Sequence, residues 1–198
     1  MLFSLTGASG AGKSTVLAHL DTVSWPEPVR CVEFDSIGVL DGADTAWRHA
    51  AVEHWGQQAL DAEAAGEHML LCGQVPMGEL LAAPSADRLD GIAVCMLHCA
   101  PAARTERLLA RGEDPASIVH HNRFGEWFHA HTLDPQHALE VIRVESATPM
   151  RWDRWAEWER GDPRWTAEII DTDELSPAEV AGAVEQWVGR TLSVRSRG

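Results

Sequence analysis

One segment constrains this chain more than any other: Gly7-Ala8-Ser9-Gly10-Ala11-Gly12-Lys13-Ser14-Thr15. It holds the sole lysine, since every other member of the 16 Lys and Arg residues is arginine. Lysine is therefore kept only where a compact ammonium differs from a planar guanidinium. Leu2 to Thr6 (LFSLT) reads as a short buried strand before the segment, and Ser14 to Leu20 reads as the helix after it. Strand, tight glycine loop and helix in this order commit the N-terminus to an α/β unit. Gly7, Gly10 and Gly12 give the loop backbone conformations closed to residues with a Cβ.

The spacing matches G-x-x-x-x-G-K-[ST], a phosphate-binding loop, or P-loop. Such a loop turns several N–H groups inward, and the helix N-terminus adds the positive end of its dipole. All nine residues, Gly7, Ala8, Ser9, Gly10, Ala11, Gly12, Lys13, Ser14 and Thr15, are therefore candidates to bind a nucleotide triphosphate. Lys13 would neutralise the β- and γ-phosphates, and the Ser14 hydroxyl would ligate Mg²⁺.

At 198 residues and 45% hydrophobic composition the chain suits one domain with a sizeable core. A net charge of −14 argues against nucleic acid or an anionic membrane surface as the main partner. No apolar run is long enough for a membrane span. The first strand begins at once, so no leader peptide is expected, and a cytoplasmic location is. Cys31, Cys72, Cys95 and Cys99 lack C-x-x-C spacing and read as buried free thiols, although Cys95 and Cys99 flank His98.

Strand-like runs alternate with helical patterns along the rest of the chain. Strands are expected at Val29–Phe34, His68–Cys72, Gly91–Leu97 and Thr166–Ile170. Helices are expected at Thr45–Ala65, Ala102–Arg111 and Pro115–His131, with a last one at Ser176–Leu192. Ser176 fits its N-cap, Pro177 its first position and Glu179 the reciprocal cap. This alternation predicts a five-stranded parallel sheet with helices on both faces. The residues following each strand are then the functional candidates. Trp152, Trp155 and Trp158 fall at i, i+3 and i+6, as on one helical face. That face reads as core packing, or else as an aromatic wall for a ligand or a homodimer surface.

Absences narrow the kind of P-loop protein. With no second lysine, an N-K-x-D guanine-reading motif is ruled out, and no transporter-type LSGGQ signature occurs. The third strand ends Leu70-Leu71-Cys72-Gly73, without the aspartate common at that place. The pattern that remains resembles the small P-loop kinases, the group of adenylate, gluconate and shikimate kinases and chloramphenicol phosphotransferase. Four stretches carry the resemblance: the loop at 7–15, Val32 to Gly38 (VEFDSIG), Pro101 to Arg111 (PAARTERLLAR) and Ile169 to Ser176 (IIDTDELS). Together they span most of the chain. The resemblance implies a three-layer fold and ATP-dependent phosphoryl transfer by a single domain at 1–192. It also implies an acceptor-binding arm near 36–66 and a short lid near 112–122, with 193–198 as a frayed tail.

Phosphoryl transfer needs positioned charge more than covalent catalysis. Asp35, just after the second strand, is a candidate to deprotonate or orient the acceptor or to hold Mg²⁺ through water; its bland alternative is a turn aspartate. Glu33 is expected on the opposite face of the strand. Arg104, Arg107 and Arg111 fall at i, i+3 and i+7, near enough to share a helix face. The resemblance implies that Arg107 stacks near the adenine, that Arg111 opens the lid and that Arg123 clamps the transferring group. It also places Thr172 and Asp173 in the loop on the base side. Arg104 is expected at the nucleotide or in solvent. On the acceptor side the candidates are Asp35, Arg48 and Gln74. Arg48 is the sole arginine between Arg30 and Arg88. One cation suits a phosphorylated acceptor poorly, because dianions recruit clusters. An uncharged or polar hydroxyl acceptor follows: sugar-like, nucleoside or antibiotic-like. His120, His121, His129 and His131 read as packing or surface residues. Two function classes remain: a kinase using ATP and Mg²⁺ and releasing ADP, with a nucleoside or nucleotide kinase as a variant, or a P-loop ATPase acting as a regulatory module.

Overall fold

The computed structural model describes residues 1–195. Five strands form one parallel sheet: β1 (Leu2–Thr6), β2 (Val29–Glu33), β3 (His68–Cys72), β4 (Ile92–His98) and β5 (Glu168–Asp171), in the order β2-β3-β1-β4-β5. Central β1 is buried along its whole length, with Phe3 in register with Leu70 of β3 and Ala93 of β4. Side chains alternate across the pleat and split the core in two. Leu2, Met69, Leu71, Val94 and Met96 face one side, and Phe3, Leu5, Leu70, Cys95 and Leu97 face the other.

Helix α1 (Lys13–Leu20) covers the second side together with α6 (Pro177–Arg195), which supplies Val184, Trp187 and Val188. The first side takes α2 (Thr45–Ala64), α3 (Met77–Ala82) and α5 (Ile118–Leu133). Helix α4 (Pro101–Ala110) follows β4 and packs on α5. Local chemistry sets the ends. The Asp44 carboxylate accepts from the Trp47 N–H at 2.9 Å and starts α2. Ser176 and Glu179 cap α6 reciprocally, the Ser176 N–H reaching Glu179 Oε2 at 2.8 Å and the Glu179 N–H reaching Ser176 Oγ at 3.3 Å.

The expected strands and helices all form, β1 and β3 with the expected ends and the others with ends displaced by at most three residues. Helix α6 continues to Arg195, so 193–195 are helical, while the rest of the expected tail, 196–198, lies outside the described residues. Helix α3 was not expected; six residues are too few to show a period. The tryptophan segment also differs from expectation. Trp152–Trp155 is a single 3-10 turn and Trp158 lies beyond it, so the three do not form an α-helical face. Trp155 is fully buried and donates from Nε1 to the Gly78 carbonyl at 3.1 Å, sealing α3 against α5. His131 sits among Trp127, Trp155 and Trp165, where burial pushes its pKa down to about 4. It stays neutral and serves packing, as expected.

Candidate active site

The C-terminal ends of β1, β2 and β3 meet around the glycine loop. Gly7 has φ 145°, and a Cβ there would stand 2.4 Å from the Leu97 carbonyl oxygen, so no side chain fits. Gly12, at φ 92°, turns the chain into α1. No side chain caps α1, so the N–H groups of its first turn remain available to an anion. Half-buried Lys13 reaches back across the loop, its Nζ donating to the Ala8 carbonyl at 3.1 Å. Burial pulls its pKa from 10.5 down to about 8, against the opposing pull of Asp35.

Two carboxylates face this loop. Strand β2 stops at Glu33, and a 3-10 turn follows over Phe34–Ile37. Phe34 turns into the core, and its carbonyl accepts from Trp55 Nε1 at 2.9 Å. Glu33 and Asp35, on either side of it, therefore both reach the cleft. Glu33 Oε1 accepts from Ser14 Oγ at 2.9 Å. The expectation that Glu33 points away from the Asp35 side is overturned: residues two apart share a face, so with Phe34 turned into the core its two neighbours both face the cleft. The Asp35 carboxyl is held above the usual carboxylate range by burial first and Glu33 second, with Lys13 opposing.

Lys13, Ser14, Glu33, Asp35, Gln74 and Arg111 border a cleft of about 260 Å³ with the loop along one side. Ser9 Oγ donates to Gln74 Oε1 at 3.2 Å across it. Ser14 Oγ and the Glu33 carboxylate present oxygen ligands of the kind that suit Mg²⁺. A second, mostly apolar cavity of about 250 Å³ adjoins the loop between α1 and the segment after β5, lined by Thr15, Val16, Arg107, Thr172, Leu175 and Val180. Arg107 is fixed there: Nη1 donates to Thr172 Oγ1 at 2.8 Å and to the Gly10 carbonyl at 3.4 Å, and Nη2 donates to the Thr172 carbonyl at 2.6 Å. Its planar group ties the P-loop to the loop after β5.

A third cavity, about 450 Å³, shares Ser9, Asp35 and Gln74 with the cleft and extends to Asp44, Trp47 and Arg48 at the start of α2. Arg48 donates from Nε and Nη2 to Glu79 Oε2 and Oε1, both at 2.6 Å. Glu79 is fully buried on α3. It escaped the sequence reading because its helix did.

Three expected residues lie elsewhere. Arg104 is neither at the nucleotide cleft nor solvated: it is 1% exposed and donates from Nη2 to the Cys99 carbonyl at 2.8 Å. A Cβ on Gly125 would fall 2.3 Å from its guanidinium carbon, so Arg104 braces α4 on α5. Asp173 lines neither the cleft nor the apolar cavity; its carboxylate accepts from the Ala100 N–H at 3.0 Å at the start of α4. Arg123 is exposed on α5 and does not border the cleft. All four cysteines are free thiols, and the described residues contain no group of three or more His, Cys, Asp or Glu side chains placed to hold a metal, around His98 or elsewhere. No helix among them is long and apolar enough to cross a membrane.

No family profile matches the chain, and no curated protein matches its sequence. Solved structures do. A sugar kinase from Janibacter sp. HTCC2649 superposes with a TM-score of 0.58 at 12% identity, over 94% of this chain and 93% of that one. The Mycobacterium tuberculosis APS kinase, in complex with AMPPNP and APS, gives 0.52 at 16% identity, over 94% and 96%. A gluconokinase from Sinorhizobium meliloti 1021 gives 0.51 at 17% identity, over 98% and 96%. The chain has the fold of the small P-loop kinases. In each case the likeness extends over more than nine-tenths of both chains.

Proposed function

We propose that the protein is an ATP- and Mg²⁺-dependent phosphotransferase that moves the γ-phosphoryl group to a hydroxyl of a small metabolite. The observation that carries this reading is the position of Asp35. It borders both the phosphate cleft with Lys13 and the neighbouring chamber on the arm. A hydroxyl in that chamber would have a carboxylate on one side and the end of a polyphosphate on the other.

In this reading the loop amides and Lys13 hold the β- and γ-phosphates, and the base lies in the apolar cavity against Arg107. Ser14, with Glu33 facing it, would hold Mg²⁺, which would supply charge neutralisation for the phosphates. The acceptor oxygen bonds to the γ-phosphorus, the bond from that phosphorus to the β–γ bridging oxygen breaks, and ADP leaves. The hydroxyl proton passes to Asp35, whose raised pKa suits it to accept one. Arg111 borders the cleft and adds positive charge at the transferring group. Arg123 would join it only when the 112–122 segment closes over the cleft.

The chamber speaks against a regulatory ATPase, which has no need of a second cavity next to the phosphates. The Arg48–Glu79 pair speaks against a nucleotide kinase, because the one arm arginine is already matched by a carboxylate. Release of ADP over a panel of hydroxyl compounds tests the proposal. Asp35→Asn should still bind ATP and lose about 10²–10⁴-fold in turnover, the usual scale for a lost general base. Equal loss of binding and turnover would move Asp35 to a metal or structural role.

A further inference from the structure

We propose that the acceptor carries a protonated amine beside its reactive hydroxyl, as an amino sugar or amino alcohol does, and not a carboxylate or phosphate. This rests on the phosphotransferase reading above and concerns the same chamber. Among the described residues Arg48 is the one cation on its wall. Its Nε and Nη2 are both committed to Glu79, which is fully buried, so the pair presents no net positive charge. Lys13 lies on the cleft side and is matched by the nucleotide. Asp35 and Asp44 are the other charged groups on the wall, and both are acidic. The wall is therefore net negative even if Arg48 keeps its full charge, with one cation against two carboxylates, and more so with Glu79 set against Arg48.

An acid entering it would lose hydration while facing two carboxylates and an arginine already engaged. An ammonium group meets the opposite situation. Trp47, half-buried on the same wall, adds an aromatic ring, which attracts cations through its negative face. Gln74 remains to hydrogen-bond a hydroxyl. Asp44 accepts from the Trp47 N–H at 2.9 Å, so the carboxylate and the start of the helix that carries the ring are fixed relative to each other.

The test uses three molecules on one skeleton: glucosamine, glucose and glucuronate. Nucleotide affinity is measured first with Mg·AMPPNP. Each compound is then titrated into the saturated protein, and ADP release is followed separately with Mg·ATP. The expected order is amine, then neutral sugar, then acid, with about tenfold or more between the extremes, the scale of one partly exposed charge contact. Asp44→Asn keeps a good helix cap. It should leave nucleotide affinity in place and narrow the advantage of the amine several-fold. Glucuronate binding as well as glucosamine overturns the proposal, as does no discrimination among the three, no binding by any of them included. An amine preference unchanged in Asp44→Asn overturns it too. Failure to bind the nucleotide sinks the phosphotransferase reading instead, so the two failures are told apart.

Discussion

Lys13 is out of balance until an anion arrives. Its ammonium is half-buried with a single carbonyl partner, and burial lowers its pKa from 10.5 to about 8. Between those two values the unfolded chain binds more protons than the folded one, so stability rises with pH across that window. At pH 7 the group therefore destabilises the ligand-free protein, by on the order of 3 kcal/mol. Lys13→Met should raise the melting temperature of the ligand-free protein at pH 7, and the gain should fade as the pH climbs from 8 to 10.5. The same change should lower turnover by about 10³-fold, the scale of a preorganised charge removed from a transition state. Thermal melts at several pH values check the first part; a variant less stable than wild type at pH 7 would contradict it. Opposed effects on stability and activity are the mark of a residue selected for its ligand.

At the scale of elements, the turn after β2 decides where the chemistry sits. Phe34 is its anchor, and it fits because residue 73 has no side chain: a Cβ on Gly73 would stand 2.2 Å from Phe34 Cβ. Gly73→Ala should thus displace the turn that aims Glu33 and Asp35. About 1–3 kcal/mol of stability should be lost, as in other overpacked cores, and most of the phosphoryl transfer with it. Urea denaturation beside ADP release measures both; wild-type activity in this variant would show that the turn does not position the carboxylates. The same turn explains what the sequence concealed. The P-loop was legible because its spacing and its single lysine are local signals. The strands were legible because buried parallel strands are short continuous apolar runs. Glu33 was misplaced because it was set opposite Asp35, although residues two apart on an extended chain share a face and both flank buried Phe34. Arg104 was misread because an arginine within a polar helix pattern looks solvated, and only the packing of Gly125 reveals a socket for it. Glu79 and α3 left no periodic signal at all. The tryptophans announced an aromatic cluster, but their i, i+3 spacing belonged to a 3-10 turn.

At the scale of the whole molecule, the order β2-β3-β1-β4-β5 sends the chain to one side of β1 and then to the other. Sheets of this kind bind ligands beyond the strand ends where that reversal occurs. The P-loop leaves β1 at that point, with the carboxylates of β2 on one side and the apolar cavity near β5 on the other. A chain with net charge −14 carries its one lysine there, with Arg107 and Arg111 beside it. Nucleotide bound at this junction should stabilise the fold by about 2.7 kcal/mol at a hundredfold excess over its dissociation constant. The most direct measurement is a calorimetric titration of Mg·ATP into the wild-type protein and into Lys13→Ala. One saturable site, with affinity at or below the millimolar range and sharply weakened in the variant, is the expected result. No binding at millimolar nucleotide, or equal binding by both proteins, would contradict a P-loop that grips a triphosphate.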